Sequence, residues 1–222
     1  MDSWSILWEQ RELLLSGFYN TLILFGISLG FAAMIGILGL FLLEGNTGHP
    51  LRRLLIILID IMRMLPFLIY AYLLYYGLPA VGVRLDAWSA GIIALTTYHG
   101  AYFAEILRGL RANIAKGQVD AALAHGYGKY KMMWYLILPQ IFFRSGPLLG
   151  NQLIYLLKDT AFLTIITVKE LTAAASSIQS IYFIPLEAFI VAIGLYWMVC
   201  IIIDTVTKLV DRIAIKKGIS YE

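Results

Sequence analysis

The sequence predicts an all-α membrane protein with about five transmembrane helices. Of its 222 residues, 60% are hydrophobic and only 14% are charged, whereas a soluble domain carries about 25% charged residues. The apolar residues fall in long runs, and most charged residues lie between those runs. A transmembrane helix needs roughly 20 mostly apolar residues, and five runs meet that requirement. Residues 1–222 are therefore predicted to form a single transmembrane domain.

The predicted spans follow one another with short polar segments between most of them. The fourth run is interrupted only by Lys158 and Asp159, and the second contains Asp60 and Arg63. The spans are predicted at about 15–43, 54–78, 87–107, 146–167 and 186–207. No basic segment and no small-residue cleavage site precede the first run, so we expect an uncleaved span rather than a signal peptide.

The basic residues are distributed unevenly between the two sides of this topology. Three lie on the side that holds the N-terminus, namely Arg11, Arg84 and Lys169. Twelve lie on the other side, namely Arg52, Arg53, Arg108, Arg111, Lys116, Lys129, Lys131, Arg144, Lys208, Arg212, Lys216 and Lys217. Lysine and arginine accumulate on the cytoplasmic side of membrane proteins. The N-terminus is therefore predicted outside and the C-terminus in the cytoplasm.

Several function classes are excluded by this pattern or by missing motifs. The net charge of +3 does not indicate a nucleic-acid partner, because membrane topology already accounts for the basic residues. The histidines His49, His99 and His125 have no spacing typical of a metal site, and His99 is expected to be a hydrogen-bonded core residue. The sequence has no Walker-type phosphate loop and no hydrolase or metalloprotease signature. We therefore expect no catalytic residue, no metal and no ATP hydrolysis by this chain alone.

Residues 108–145 form the only sizeable polar segment, which is too short for a catalytic domain. Asp120 is placed to cap a helix, the following alanines favour helix, and Gly126 and Gly128 are expected to end it. A second helix is predicted over 129–138, ending at Pro139. Two short helices joined by a glycine turn would suit docking in a groove of another protein. A solvated connecting loop is the alternative.

The residues of this loop resemble a known motif. Asp120-Ala121-Ala122, Gly126 and Leu138-Pro139 resemble the EAA loop of ABC importer permeases, with Asp120 in place of glutamate and Leu136 in place of isoleucine. Other segments are similar to the subgroup that takes up polar amino acids such as histidine, glutamine, arginine and cystine. These are Tyr75-Tyr76-Gly77-Leu78-Pro79, Ala101-Tyr102-Phe103-Ala104-Glu105, Leu149-Gly150-Asn151-Gln152 and Leu157-Lys158-Asp159-Thr160.

The resemblance implies a type I ABC importer permease in a bacterial cytoplasmic membrane, crossing it several times. It implies coupling through the 116–139 loop to a dimer of ATP-binding-cassette ATPases, which would hold ATP and magnesium, whereas this chain would bind no cofactor. A second permease chain, identical or homologous, and an extracytoplasmic solute-binding protein are the other implied partners. Two alternatives remain open at this point: a transporter or channel that works alone, and a membrane scaffold that recruits a soluble partner.

Four residues within the spans are candidates for substrate binding, because ionisable and polar groups in a membrane are costly. Arg63 can offer a guanidinium to a substrate carboxylate, and the resemblance favours Asp159 as acceptor for a substrate ammonium. Asn151 and Gln152 must pack inward or line water. For Arg63 the alternative is a structural pair with Asp60, and for Asp159 it is a salt bridge between helices.

One departure from the subgroup lies beside Arg63. The subgroup usually reads R-G-T-P in the second span, and this chain reads Arg63-Met64-Leu65-Pro66. The arginine and proline remain, while glycine and threonine are replaced by larger apolar residues. We expect a pocket wall here that is more apolar and narrower, and we expect Pro66 to open the helix and free nearby backbone groups.

Overall fold

The computed structural model describes residues 2–44, 49–216 and 218, and the regular secondary structure of these residues is entirely helical. This confirms the predicted all-α class. Eleven α-helices are described: α1 (Ser3–Glu9), α2 (Arg11–Leu43), α3 (Pro50–Met64), α4 (Phe67–Tyr72), α5 (Ala87–Ala112), α6 (Lys116–Ala124), α7 (Lys129–Met132), α8 (Leu138–Arg144), α9 (Gly146–Asp159), α10 (Leu171–Tyr182) and α11 (Pro185–Lys216).

Irregular helical turns extend three of these helices. A π turn follows α4 and another follows α7, and 3-10 turns complete the segments after α4 and α9. Their bounds are Leu73–Gly77, Met133–Ile137, Leu78–Val81 and Thr160–Ile166. These turns keep each segment helical while its hydrogen-bond pattern changes, which alters the direction of the chain.

The apolar helices account for most of the predicted spans. Among the described residues, α2 and α11 are each long and apolar enough to cross a membrane alone. Two bent pairs add up to two more spans, since Pro50–Met64 joins Phe67–Val81 at 104° and Gly146–Ile166 joins α10 at 49°. The remaining predicted span is α5, a less apolar helix of 26 residues. The count of five spans and their orientation stay predictions.

Helix α5 is the central element, and it contacts α2, α3, α4, α8 and α9. Its approach to α2 is close because glycines lie at the contact. A Cβ added at Gly36 would lie 2.7 Å from the Cβ of Phe103, and one added at Gly100 would lie 2.9 Å from the Cβ of Ile35. Small residues at such contacts let helix backbones pack tightly in a membrane, where the hydrophobic effect does not drive association.

The start of α5 is fixed by an N-cap that lies outside the predicted span. The backbone N–H groups of Trp88 and Ser89 donate to Asp86 Oδ1, at 3.0 and 3.1 Å. The hydroxyl of Ser89 donates to Oδ2 at 2.5 Å. The Ser89 hydroxyl bond, with help from the backbone bonds, holds the pKa of Asp86 below its ordinary value. The cap thus satisfies donors that the first helical turn leaves free.

The second predicted span is broken, not continuous. Helix α3 ends at Met64, Leu65 has extended backbone angles, and α4 begins after Pro66. A proline disfavours helical geometry in the residue before it and removes an N–H donor. The predicted opening at Pro66 is confirmed, and the 104° bend is far larger than a kink within one helix.

Two local predictions were wrong. Asp120 does not cap α6, because that helix already begins at Lys116 with Ala115 at the N-cap. The helix that starts at Lys129 does not end at Pro139. The π turn of Met133–Ile137 precedes this proline, which lies in the first turn of α8. A proline in the first turn of a helix loses no intrahelical hydrogen bond, so the helical path continues to Arg144.

A buried carboxylate joins the segments between the last two predicted spans, where α10 was not predicted. Glu170 is fully buried and is the N-cap of α10. Its oxygens accept four hydrogen bonds, from the backbone N–H groups of Ala173 and Thr172 at 2.7 and 2.8 Å, and from the hydroxyls of Thr164 and Tyr196 at 2.6 Å each. Glu170 therefore connects α10, α11 and the 3-10 turn after α9.

We expect Glu170→Ala to destabilise the protein more than Glu170→Gln does. Alanine leaves four buried donors without an acceptor, which costs about 2–5 kcal/mol. Glutamine keeps one acceptor oxygen. Thermal unfolding of the detergent-purified complex measures the difference, with exposed Glu9→Ala on α1 as the control. Equal melting temperatures for wild type and Glu170→Ala would contradict this role.

The predicted orientation is tested by labelling single cysteines in a Cys200→Ala background. A cysteine at exposed Ser180 on α10 is expected to react with an impermeant thiol reagent in intact cells. One at Lys116, at the start of α6, is expected to react only after the cells are permeabilised. The physical basis is the excess of basic residues on the side that holds α6. Labelling of Lys116→Cys in intact cells would show that the topology is the reverse of the predicted one.

Candidate functional site

Arg63 lies one residue before the end of α3, beside the break in the second span. Its side chain is 33% exposed, and Nη1 lies 3.4 Å from Glu105 Oε1 and 3.6 Å from Asp60 Oδ1. The guanidinium carbon lies 5.6 Å from the centre of the Tyr102 ring. The Tyr102 hydroxyl donates to the backbone carbonyl of Arg63 at 2.9 Å. Tyr102 therefore holds the end of α3 and also contacts its arginine.

Neither carboxylate near Arg63 saturates its guanidinium. Glu105 is committed to Arg108, which donates from Nε at 2.7 Å and from Nη2 at 2.6 Å to its two oxygens. Within the described residues, no N–H group of Arg63 makes a hydrogen bond, and its Nε is buried without a partner. A planar fork of free donors at a helix break is a suitable site for a carboxylate.

Asp159 lies at the end of α9, where the 3-10 turn begins, and it faces α5. Its Oδ2 lies 3.3 Å from Nε2 of His99, and its side chain is 17% exposed. His99 is fully buried, and its Nδ1 lies 2.8 Å from Nε2 of Gln152. The expectation of a hydrogen-bonded core histidine is thus confirmed, and Gln152, 7% exposed, faces this histidine.

The structure does not bring Arg63 and Asp159 into contact, but one face of α5 connects them. The rings of Tyr102 and Tyr98 lie 5.3 Å apart, and Tyr98 lies 5.3 Å from the His99 ring. Arg63 is at the Tyr102 end of this face and Asp159 at the His99 end. Positions four apart on a helix lie one turn, about 5 Å, from each other along its axis. A cation and an anion thus lie at opposite ends of a short aromatic row.

Asn151 and Lys158 lie on other faces of the α9 segment. Asn151 is exposed and lines a groove with Asp204 and Lys208 of α11, which form an ion pair at 2.6 Å. Lys158 is exposed beside Trp197 of α11. Of the four predicted residues, Asp159 and Gln152 therefore share one cluster, Arg63 lies across α5, and Asn151 faces elsewhere.

The predicted coupling segment lies on the surface of the chain. No residue of α6 is buried, Ala121 and Asp120 are exposed, and Ala122 is half-buried against the cluster formed by α2, α5 and α7–α8. Gly126 has a φ of +74° and ends the turn after α6, which confirms the glycine turn. A Cβ at Gly126 would meet nothing within 4 Å in the described chain.

The end of the coupling segment is only partly exposed. Leu138 packs on the same cluster as Ala122, whereas Pro139 is exposed. Three aromatic side chains beside them, Tyr130, Trp134 and Tyr135, are 80%, 60% and 74% exposed. The chain thus presents an apolar surface here that it does not cover itself.

Three neighbours of the two charges had little or no predicted role: Tyr102 and Glu105 near Arg63, and Tyr98 near Asp159. Tyr98, Tyr102 and Glu105 follow a four-then-three spacing, which places them on one face of α5. That signal was available, because a polar stripe on a membrane helix must face protein or water. The contact between His99 and Gln152 could not be predicted from the sequence, because the two residues are 53 positions apart in the chain.

Comparison with known proteins shows the family of this chain. Residues 23–215 match the family described as binding-protein-dependent transport system inner membrane component. The chain belongs to this family. It is 31% identical over 195 residues to the probable glutamine ABC transporter permease protein GlnM of Bacillus subtilis, covering 88% of this chain and 89% of that protein. It is 30% identical over 211 residues to the glutamine transport system permease protein GlnP of Escherichia coli, covering 94% and 96%.

Solved structures show the same fold. A crystal structure of an amino acid ABC transporter with histidines matches with a TM-score of 0.85 and 29% identity, covering 96% of this chain and 98% of that chain. The MetNI methionine ABC transporter matches with a TM-score of 0.72 at 19% identity, covering 90% and 97%. The chain is therefore an ABC importer permease, a transport subunit and not an enzyme, and the alternatives of a lone transporter and a scaffold are set aside.

Proposed function

We propose that this permease carries polar amino acids or close analogues, with Arg63 and Asp159 as its substrate-binding charges. The observation that carries the proposal is the guanidinium of Arg63 at the broken span, whose Nε is buried without a partner and whose contacts to carboxylates in the described chain are two long ion pairs from Nη1. A transporter of zwitterions must replace the water around both charges of its cargo, because bare charges are costly at low dielectric.

Arg63 is suited to the carboxylate of such a substrate. Its two ion pairs, at 3.4 and 3.6 Å, are longer than charge-assisted hydrogen bonds, which are about 2.7–2.9 Å. A carboxylate that entered beside α4 could form two short bonds with the fork without displacing Arg108 from Glu105. The broken helix provides backbone groups next to this position, as broken helices do at transporter binding sites.

Asp159 is suited to a positively charged group at the other end of the aromatic row. It has no lysine or arginine within ion-pair distance among the described residues, and the nearest basic side chain among them is His99, at 3.3 Å. A substrate ammonium or a cationic side chain would supply the missing counter-charge. The tyrosine rings between Asp159 and Arg63 would contact the carbon skeleton. Gln152 is retained as a candidate that contributes a polar group nearby, and Asn151 is retained as a candidate on the other face of α9.

Met64 and Leu65 would restrict this site. Met64 is 81% exposed at the break, and Leu65 is half-buried beside it. These side chains would narrow the passage next to Arg63 and would favour substrates whose carbon skeleton is apolar or slender.

The proposed mechanism is alternating access driven by partner subunits. An extracytoplasmic solute-binding protein would deliver the amino acid to the outer face of two permease chains, identical or homologous. Two ATPase subunits, which hold ATP and magnesium, would dock on the 116–139 segment and draw the two permeases together when they close. The assembly would reside in a bacterial cytoplasmic membrane, with the lipid contacting the exposed apolar faces of α2 and α11.

The exposed face of α6 supports docking of the ATPase at this segment. Ala121 and Gly126 present little side-chain bulk, and both face space that this chain leaves open. Half-buried Ala122 instead anchors α6 to the body of the permease, together with Val119. Motion of the docked ATPase would thereby pass through α6 to α5, the helix that carries Tyr102 and His99.

The first test of this proposal is a charge at the docking surface. Ala121→Asp is expected to abolish copurification of the ATPase or to uncouple its activity from transport, because a desolvated unpaired charge costs several kcal/mol. Copurification and amino acid uptake are measured together. Ala121→Ser, which adds bulk and polarity without charge, is the matched control and is expected to stay within about threefold of wild type, since one small polar group costs roughly 0.5 kcal/mol at an exposed site. Wild-type copurification and uptake by Ala121→Asp would exclude this docking surface.

The second test concerns the two charges. Uptake of L-glutamine, L-cystine and L-arginine is measured in cells that express the complete transporter. Arg63→Lys is expected to weaken uptake, since lysine lacks the planar fork. Arg63→Ala and Asp159→Asn are expected to reduce it by a factor of about thirty or more, because losing one partner of a desolvated pair costs roughly 2–5 kcal/mol.

The controls for this test are surface charges of the same types. Arg84→Lys alters an exposed residue and Asp204→Asn a half-buried one that is paired with Lys208 away from this site, and both are expected to leave uptake unchanged. Basal ATPase activity and the melting temperature of the complex are also expected to stay at wild-type values in the Arg63 and Asp159 variants. A loss of assembled complex would instead assign these residues a structural role, and full uptake by Asp159→Asn at normal expression would place the site elsewhere.

A further inference from the structure

His99 is the most deeply buried titratable side chain close to the proposed substrate site, and transport as described above does not use it. It lies on α5 with no exposed surface. Its ring contacts the rings of Tyr98, at 5.3 Å between centroids, and Phe67, at 6.1 Å. The only charged group within ion-pair distance, among the described residues, is Asp159 from α9. Packing alone does not explain an imidazole in such an apolar setting.

The contact with Gln152 determines which ring nitrogen carries the proton. Nε2 of Gln152 lies 2.8 Å from Nδ1 of His99. With the Gln152 amide oriented so that its nitrogen faces the ring, that nitrogen donates and Nδ1 accepts, and an accepting ring nitrogen carries no proton. The proton of the neutral imidazole is therefore on Nε2, the nitrogen that faces Asp159.

The Nε2–H group is close to the carboxylate but does not yet bond to it well. It lies 3.3 Å from Asp159 Oδ2 but makes no hydrogen bond there, which leaves Nε2 buried without a partner. A small rotation of the carboxylate would close this bond. Hydrogen bonds of this kind are often loose in an empty site and tighten when the substrate is bound.

We propose that His99 is a positioning residue for Asp159, held in the required tautomer by Gln152. The chain of donation runs from Gln152 through His99 to Asp159. It fixes one carboxylate oxygen and leaves the other for the substrate's positive group. The inference rests on the proposed role of Asp159, and it moves Gln152 from contact with the substrate to support of the residue that makes that contact.

Two amide variants separate this role from simple packing. His99→Gln places an N–H group at about the position of Nε2, within reach of Asp159. His99→Asn has the same functional group on a shorter side chain, so its amide reaches only the position of Nδ1, where its oxygen can accept from Gln152, and it offers no donor to Asp159. Packing and polarity change in similar ways in the two variants, whereas the bond to Asp159 is possible in only one of them.

The readout is the half-saturating concentration and the maximal rate of L-glutamine, L-cystine or L-arginine uptake by the complete transporter. His99→Asn is expected to raise the half-saturating concentration roughly ten- to hundredfold, the effect of one hydrogen bond to a charged group. The maximal rate and the melting temperature are expected to stay near wild type. His99→Gln is expected to keep the half-saturating concentration within about threefold of wild type. Its N–H still donates to Asp159, so less than half of the free energy of that hydrogen bond is lost.

A double-mutant comparison separates this inference from the proposed function. In the Asp159→Asn background, His99→Asn is expected to add no further effect, because the two residues act as one unit. If Asp159→Asn transports normally, the proposed function fails. If Asp159→Asn loses uptake while His99→Asn and His99→Gln behave alike, the proposed function stands and the positioning role is wrong.

A spectroscopic measurement tests the tautomer without reference to transport. In nitrogen-15 NMR of the histidine-labelled complex, the signal that the His99→Gln variant lacks belongs to His99, one of the three histidines of this chain. We expect a neutral ring with its proton on Nε2. A proton on Nδ1, or on both nitrogens, would mean that Gln152 accepts from the ring, and it would overturn the proposed chain of donation.

Discussion

A charged side chain in the lipid-spanning part of a helix must find a partner, because the hydrocarbon offers neither water nor counter-ions. This constraint organises the centre of the permease. Helix α5 holds most of the partners, and both candidate substrate charges contact its residues, Arg63 through Glu105 and Tyr102, and Asp159 through His99. Glu105 is paired with Arg108 by two short bonds, whereas Arg63 Nε has no partner and Asp159 has no lysine or arginine within ion-pair distance in the described chain. The unsatisfied groups are the ones we assign to cargo.

The same helix links the substrate site to the surface proposed for ATPase docking. Helix α5 runs from the Asp86 cap to Ala112, and α6 follows after three residues. Residues near the C-terminal end of α5, such as Leu107 and Leu110, lie in the cluster against which Ala122 packs. Glycines at the contact let α5 pack closely against α2. A displacement of α6 would therefore reach Tyr102 and His99 through a packed helix, without a flexible segment in between.

Sequence reasoning predicted the features that depend on local chemistry. Composition predicted the membrane class, Pro66 predicted the opening of the second span, and Gly126 predicted the turn after α6. It was wrong at Pro139, because this proline lies in the first turn of α8, where it loses no intrahelical hydrogen bond. The break's 104° bend and the Gln152–His99 contact depend on how distant helices pack. A hydrophobic pattern shows which face is buried but not which helix covers it.

The central claim is that the free donors of Arg63 and the carboxylate of Asp159 receive the two charges of an amino acid. The most direct measurement is a cryo-electron microscopy structure of the assembled transporter with L-glutamine or L-arginine bound. Our account predicts the substrate carboxylate within hydrogen-bonding distance of the Arg63 guanidinium and a positive group of the substrate against Asp159. An amino acid bound elsewhere in the path, with Arg63 still facing Glu105 and Asp159 still facing only His99, would contradict it.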